Sequence, residues 1–208
     1  MLDISNWIAN LLWPQKFRDK RAKKLVKDLT GCVRIETRDN IVDFGSGHGE
    51  IPKEMARLGC LVTCIDLFTL FSKKVDNSEV RENMTWISGD ATEKIVSLGG
   101  NSSDLVTMFY FLQALDEDGK KAAISEAMRI LKANGKIVIV DEIYENWFLN
   151  ILNSFVHYGL NLTEKSKGYN ILKYGGYKQL FSEARLSVET ECRCGNRVLY
   201  VLQKIQIS

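Results

Sequence analysis

Gly45, Gly47 and Gly49 stand at alternate positions in the stretch Ile41-Val42-Asp43-Phe44-Gly45-Ser46-Gly47-His48-Gly49-Glu50. Glycine lacks a Cβ, so three of them let the backbone turn tightly, take positive φ and approach a ligand closely. The apolar run before them, broken only by Asp43, reads as a strand buried on both faces, and Ile51 to Leu58, closed by Gly59, reads as a short helix. A strand, turn and helix of this kind offers the unpaired N–H groups of a helix N-terminus to an anionic group. The spacing is G-x-G-x-G, with Glu50 where a dinucleotide site carries its third glycine, so a pyrophosphate is disfavoured.

Two carboxylates follow at strand ends. The run Leu61 to Ile65 ends in Asp66, about twenty residues beyond the glycines, where an acid accepts hydrogen bonds from ribose hydroxyls. A third run, Met84 to Gly89, ends in Asp90-Ala91, and a fourth strand runs from Asp104 to Met108 into Phe109-Tyr110-Phe111. In order and spacing, D-F-G-S-G-H-G, Asp66, Asp90-Ala91 and the Asp104 strand resemble the class I (Rossmann-like) S-adenosylmethionine-dependent methyltransferases. The resemblance runs from about Asn40 to the C-terminal strands. It implies S-adenosylmethionine as the cofactor, with Gly45, Gly47 and Gly49 facing the methionine moiety, Asp66 the ribose, and Asp90 with Ala91 the adenine edge. Asp43, Ser46, Leu67 and Phe109 complete the implied cofactor-binding set. A methionine carboxylate is a lone anion, which helix N–H groups satisfy without the room a pyrophosphate needs.

Methyl transfer from a sulfonium is an in-line displacement, so catalysis is mostly alignment, with a base needed only where the acceptor loses a proton. The aromatic faces after the fourth strand either favour the sulfonium or pack in the core. Candidate bases are His157, the adjacent carboxylates Asp141 and Glu142 at the tip of the fifth strand, and Tyr110. His48, the other histidine, lies inside the glycine turn and reads as a packing or hydrogen-bonding residue near the donor. The segment Asp141 to Tyr174 holds Trp147, Phe148, Phe155, Tyr158, Tyr169 and Tyr174, in the place where the family builds its acceptor pocket. The same residues also suit an ordinary core stripe.

Alternating apolar runs and helical segments position these residues. Their alternation predicts an α/β fold built on a parallel sheet with right-handed crossovers, and the resemblance implies a Rossmann-like seven-stranded mostly parallel sheet with an antiparallel last strand, helices on both faces, and an N-terminal helical cap. Residues 1–29 form that cap or lid, and 30–208 a single domain with an acceptor-pocket insert at about 141–174. Within the cap, Ile4, Trp7, Ile8, Leu11 and Leu12 recur at helical spacing before Pro14, and Phe17, Leu25, Val26 and Leu29 continue the stripe beyond it. Seven Lys and Arg residues between Lys16 and Lys27 form either a solvated face or a surface for an anionic membrane or substrate. Helices are expected at about 68–75, 92–98 and 116–132, the last stopped by Gly135 as a C-cap residue before the strand Lys136 to Val140. A further helix is expected from Tyr177 to Arg185, then a hairpin turning at Gly195-Asn196.

The chain's 208 residues, 45% apolar and 26% charged, suit one globular domain and argue against disorder. A net charge of +2 is too small for binding driven by phosphate neutralisation, so no nucleic-acid partner is implied. Five scattered cysteines make no disulfide framework, and Cys192-x-Cys194 lacks zinc spacing, so no metal is expected. No long apolar span and no cleavable signal pattern stand in the sequence, which leads to a cytoplasmic expectation. The leading reading is methyl transfer to a small, partly apolar or aromatic acceptor. Its rivals are a methyltransferase for RNA or protein, and a non-catalytic nucleoside-binding or partner-binding module on the same fold. Acceptor, methylated atom and oligomeric state stay open.

Overall fold

The most continuous apolar runs occupy the centre of the sheet in the computed structural model of this chain, which describes residues 14–67, 80–93, 95, 97–142, 177–194 and 197–205. The strands are β1 (Asn40–Phe44), β2 (Leu61–Asp66), β3 (Met84–Ser88), β4 (Ser103–Phe109), β5 (Leu131–Glu142), β6 (Leu186–Cys194) and β7 (Arg197–Lys204). Their order is β3-β2-β1-β4-β5-β7-β6. β1 to β5 pair in parallel, and β7 runs antiparallel to both β5 and β6, so among the described strands it alone points the other way. The expected architecture is therefore present. Order reverses between β1 and β4, and in open α/β sheets ligands bind outside the strand carboxyl ends at such a switch point.

Four α-helices are described: α1 (Gln15–Cys32), α2 (Glu50–Arg57), α3 (Glu117–Ile130) and α4 (Lys178–Glu183). Strand alternation divides the core between the two sheet faces. On one face Ile41, Val62, Cys64, Leu105, Val138, Val140, Leu199 and Val201 pack with Leu25, Val26 and Leu29 of α1 and Met55 and Ala56 of α2. On the other, Val42, Phe44, Val106, Met108, Ile137, Ile139, Val198 and Tyr200 pack with Ala123, Ile124, Ala127 and Ile130 of α3 and Leu180 and Phe181 of α4. Helix α1 thus joins the core through its C-terminal half. It runs on to Cys32, past the polar connection expected from Thr30.

Several local expectations are corrected. Phe17 is 65% exposed and does not continue the apolar stripe. At Thr92, Glu93, Ile95, Ser97 and Leu98, the described residues of 92–98, the chain turns and bends and is not helical. It is tied to α3, where the buried Glu126 accepts from the Ile95 amide at 3.0 Å and Arg129 donates to the Ile95 carbonyl at 3.2 Å. Helix α3 ends at Ile130, and β5 starts at once with Leu131. Gly135 is consequently inside the strand and caps nothing. A Cβ there would lie 2.7 Å from Leu131 Cδ1 and 2.9 Å from the Asp104 carbonyl oxygen, so close approach is what demands glycine. The expected helix at 68–75, residues 1–13 and the aromatic residues of the 143–174 segment lie outside the described residues.

Candidate active site

The glycine turn is pinned to β2 before any ligand is considered. Gly45 N–H and Ser46 N–H both donate to the Ile65 carbonyl, at 2.9 and 3.1 Å. The Ser46 hydroxyl donates to the Asp43 carbonyl at 2.9 Å and accepts from the Ile65 amide at 3.1 Å. Ser46, expected among the cofactor contacts, is buried and spends its hydroxyl on holding the turn. All three glycines have positive φ: 71° at Gly45, 52° at Gly47 and 80° at Gly49. Their roles differ nonetheless. A Cβ on Gly45 would meet Phe111 Cδ2 at 2.4 Å, so that glycine makes room for a side chain of the protein. Around Gly47 no described residue comes within 4 Å of a Cβ position, which leaves it open on that side. Gly49 is the N-cap residue of α2 in the left-handed conformation.

Asp66 reaches back to this turn, its Oδ2 accepting from the Gly47 amide at 2.8 Å. The carboxylate is thereby held at the carboxyl edge beside the open glycine. Leu67, 58% exposed, follows it, and Ala91 is buried behind Asp90. Asp90 Oδ1 accepts from both the amide and the hydroxyl of Thr92, at 2.8 and 2.7 Å, which fixes the turn after β3. Asp43 is different in kind. It is buried, its Oδ1 accepts from the Thr107 hydroxyl at 2.5 Å, and burial pushes its carboxyl up to about 7 against the lowering effect of Thr107 and Ser46. Asp43 thus ties β1 to β4 under the turn.

On the acceptor side the structure separates the two adjacent carboxylates, because consecutive strand residues face opposite ways. Asp141 points to the α3 and α4 face, where it is fully buried and accepts from the Tyr177 hydroxyl at 2.8 Å. Burial pushes it up to about 8, so it is mostly a neutral acid at pH 7. Glu142 points to the α1 face and accepts from Arg21 Nη2 at 3.0 Å. Arg21 also lies over the Tyr110 ring, 4.3 Å from its centroid. Tyr110 has φ 58°, an outlier for a bulky side chain, and its buried hydroxyl has no hydrogen-bond partner among the described residues. Phe109 is 6% exposed in the core beneath α1, while Phe111 covers Gly45 and meets the Phe44 ring edge-on. His48 is half-buried in the turn. His157 lies outside the described residues.

Arg18 and Arg21 are the residues that sequence reasoning missed. Both turn inward from α1, Arg18 to Glu50 Oε1 at 2.6 Å and Arg21 to Glu142, while Lys16, Lys20, Lys23, Lys24 and Lys27 stay exposed. Their i, i+3 spacing places both on one helix face, but Lys20 with Lys23 and Lys24 with Lys27 share it, so it does not single them out. A cleft of about 670 Å³ opens at the opposite, amino-terminal edge of the sheet, but the charges lining it are spent on one another, Lys132 on Asp104 and Lys136 on Glu189. Among the described residues no cluster of His, Cys, Asp and Glu could hold a metal ion, and no helix is long and apolar enough to cross a membrane.

Residues 42–139 match a family model described as a methyltransferase domain. Phosphoethanolamine N-methyltransferase 1 of Triticum aestivum is 25% identical over 127 residues, 58% of this chain and 26% of that protein. The ubiquinone/menaquinone biosynthesis C-methyltransferase UbiE of Zymomonas mobilis is 26% identical over 123 residues, 58% of this chain and 49% of that one. The chain spans between about a quarter and a half of the length of these relatives. A SAM-dependent methyltransferase from Aquifex aeolicus superposes with a TM-score of 0.69 at 15% identity, covering 95% of this chain and 97% of the other. The cofactor of this family fits the residues present. Open space over Gly47 admits a chain of atoms that any Cβ would obstruct, and Asp66 and Asp90 supply acceptors at two neighbouring strand ends. Sheet order, glycine turn and strand-end acids agree with that methyltransferase-domain match, and the chain has the fold of the class I S-adenosylmethionine-dependent methyltransferases.

Proposed function

We propose that this chain transfers a methyl group to a small, partly apolar or aromatic acceptor. The observation that carries the reading is the corner formed by open Gly47 and the Asp66 carboxylate it holds. S-adenosylmethionine, when bound, supplies the methyl on a sulfonium. The chain's own residues bind the donor at Gly45, Gly47, Gly49, Asp66, Leu67, Asp90 and Ala91, while Ser46, Asp43 and Phe109 hold that surface in place. Tyr110 and Glu142, bridged by Arg21, line the acceptor side, and His157 shares the role of base where the acceptor must lose a proton. Asp141, neutral and facing away, orients the strand tip instead. Incubation with methyl-labelled donor and a small-molecule extract should label a small product. Label passing only into RNA or protein would overturn the acceptor class, and no transfer at all would favour a binding module.

Donor binding has its own check. Asp66→Ala removes the acceptor for ribose hydroxyls and orphans the Gly47 amide, which should cost about 1–3 kcal/mol, or roughly 5- to 150-fold in Kd by titration calorimetry. Unchanged affinity would place the ribose elsewhere.

In this reading residues 1–29 act as a cap over the mouth, residues 30–208 as the catalytic domain, and the 141–174 segment as the acceptor wall. Support comes from the two ion pairs that clip α1 to Glu50 and Glu142 at the carboxyl edge. Hydrogen exchange in the Gln15 to Arg21 turns should slow when donor binds. The same protection with and without donor would make α1 a static part of the core.

A further inference from the structure

The last residue of α1, Cys32, and Cys192 of β6 are 160 positions apart in sequence, yet their sulfurs lie 3.4 Å from each other. Both are half-buried. They line a cleft of about 310 Å³ together with Leu25, Lys27, Val140 and Leu199, so a small reagent can reach them. A disulfide needs the sulfurs to close to about 2.05 Å. That approach is modest, and the chain from Val33 to Asp39 has no regular structure to resist it. The other described thiols do not compete. Cys60 and Cys64 are buried, and burial pushes the Cys60 thiol up to about 11 and the Cys64 thiol higher still, leaving almost no thiolate at neutral pH.

We propose that Cys32 and Cys192 are a redox modification site, at which a small disulfide oxidant such as glutathione disulfide closes a reversible bond between α1 and β6. One thiolate attacks the oxidant and releases the first glutathione thiol. The second then attacks the mixed disulfide and releases the other, so the two protein sulfurs lose two electrons and two protons while the oxidant is reduced to two thiols. The bond fixes the C-terminal end of the helix whose other end carries Arg18 and Arg21 to Glu50 and Glu142. Oxidation therefore stiffens the element that borders the candidate active site. This inference is independent of the acceptor and of any catalytic assignment.

The full chain is treated with glutathione disulfide and examined by intact mass and peptide mapping. The expected result is loss of two hydrogen masses, a single cross-linked peptide joining Cys32 to Cys192, and reversal by dithiothreitol. Cys32→Ser and Cys192→Ser abolish the cross-link, whereas Cys194→Ser retains it. The thermal midpoint of the oxidised chain should rise on the order of 5 °C. A persistent glutathione adduct, a Cys192–Cys194 or intermolecular cross-link, or a cross-linked chain with an unchanged midpoint would overturn the proposal. Soluble folded protein in each serine variant, read from its circular dichroism, separates a lost bond from a lost fold.

Discussion

Gly45→Ala is expected to lower stability by about 2–5 kcal/mol, from two separable costs. The first is backbone strain, since alanine at φ 71° sits in the left-handed region at a cost of about 1–2 kcal/mol. The second is overpacking, because the new methyl would lie 2.4 Å from Phe111 Cδ2, an atom near the root of a ring that is itself braced against Phe44. Crowding of that size typically costs about 1–3 kcal/mol. Urea denaturation of Gly45→Ala, Phe111→Ala and the double variant separates the two, since alanine at 111 has no Cγ or Cδ to overlap and leaves only the strain. Gly45→Ala should therefore cost less in the Phe111→Ala background than in the wild type. If the alanine is equally costly in both backgrounds, Phe111 is not what the glycine serves. Gly47→Ala is the contrast, for among the described residues its methyl meets nothing within 4 Å, so it should bring the backbone strain without the overlap while obstructing the donor.

This division of labour between identical residues marks where sequence reasoning reaches its limit. The β1 run, the turn and α2 were legible because each is fixed by neighbours a few positions away, as were Asp66 and Asp90, which follow apolar runs of strand length. What each glycine is for depends on residues distant in the chain. Phe111 explains Gly45, and Leu131 with the Asp104 carbonyl explains Gly135, which the same helix-then-glycine pattern had suggested as a C-cap. The placement of Ile95 is equally non-local, held by Glu126 and Arg129 some thirty residues on. Arg18 and Arg21 were hidden for a different reason. A lysine-rich helix reads as a solvated face, and nothing local distinguishes the two cations whose partners, Glu50 and Glu142, arrive from remote elements. The divergence of Asp141 from Glu142, by contrast, was available from strand alternation alone, since Ile137 and Ile139 precede the one and Val138 and Val140 the other.

That divergence sets up the second large effect, in which Asp141→Asn should make the protein more stable at alkaline pH and flatten its pH dependence. Asp141 is fully buried, its Oδ2 accepts from Tyr177, and its Oδ1 has no hydrogen-bond partner among the described residues. The charged groups bearing on it are Glu142, which raises its pKa, and Lys120, which lowers it, but burial dominates and takes it to about 8. In the unfolded chain an aspartate titrates near 3.9. A folded pKa above the unfolded one means the folded state holds the proton more tightly. The resulting stability is fully present below about pH 4 and is lost as pH climbs through about 8. At about 1.4 kcal/mol per unit, the loss over that window of roughly four units is on the order of 5–6 kcal/mol. Asparagine keeps the shape and the bond from Tyr177 without a proton to lose. Urea denaturation at pH 5 and pH 8.5 should therefore show a large drop for the wild type, and for Asp141→Asn a smaller one, set partly by Asp43, whose carboxyl is pushed up to about 7 in the same direction. Parallel curves for the two proteins would mean that Asp141 is ionised in the fold. The carboxylate would then have a partner it now lacks, and its exclusion from base catalysis would have to be withdrawn.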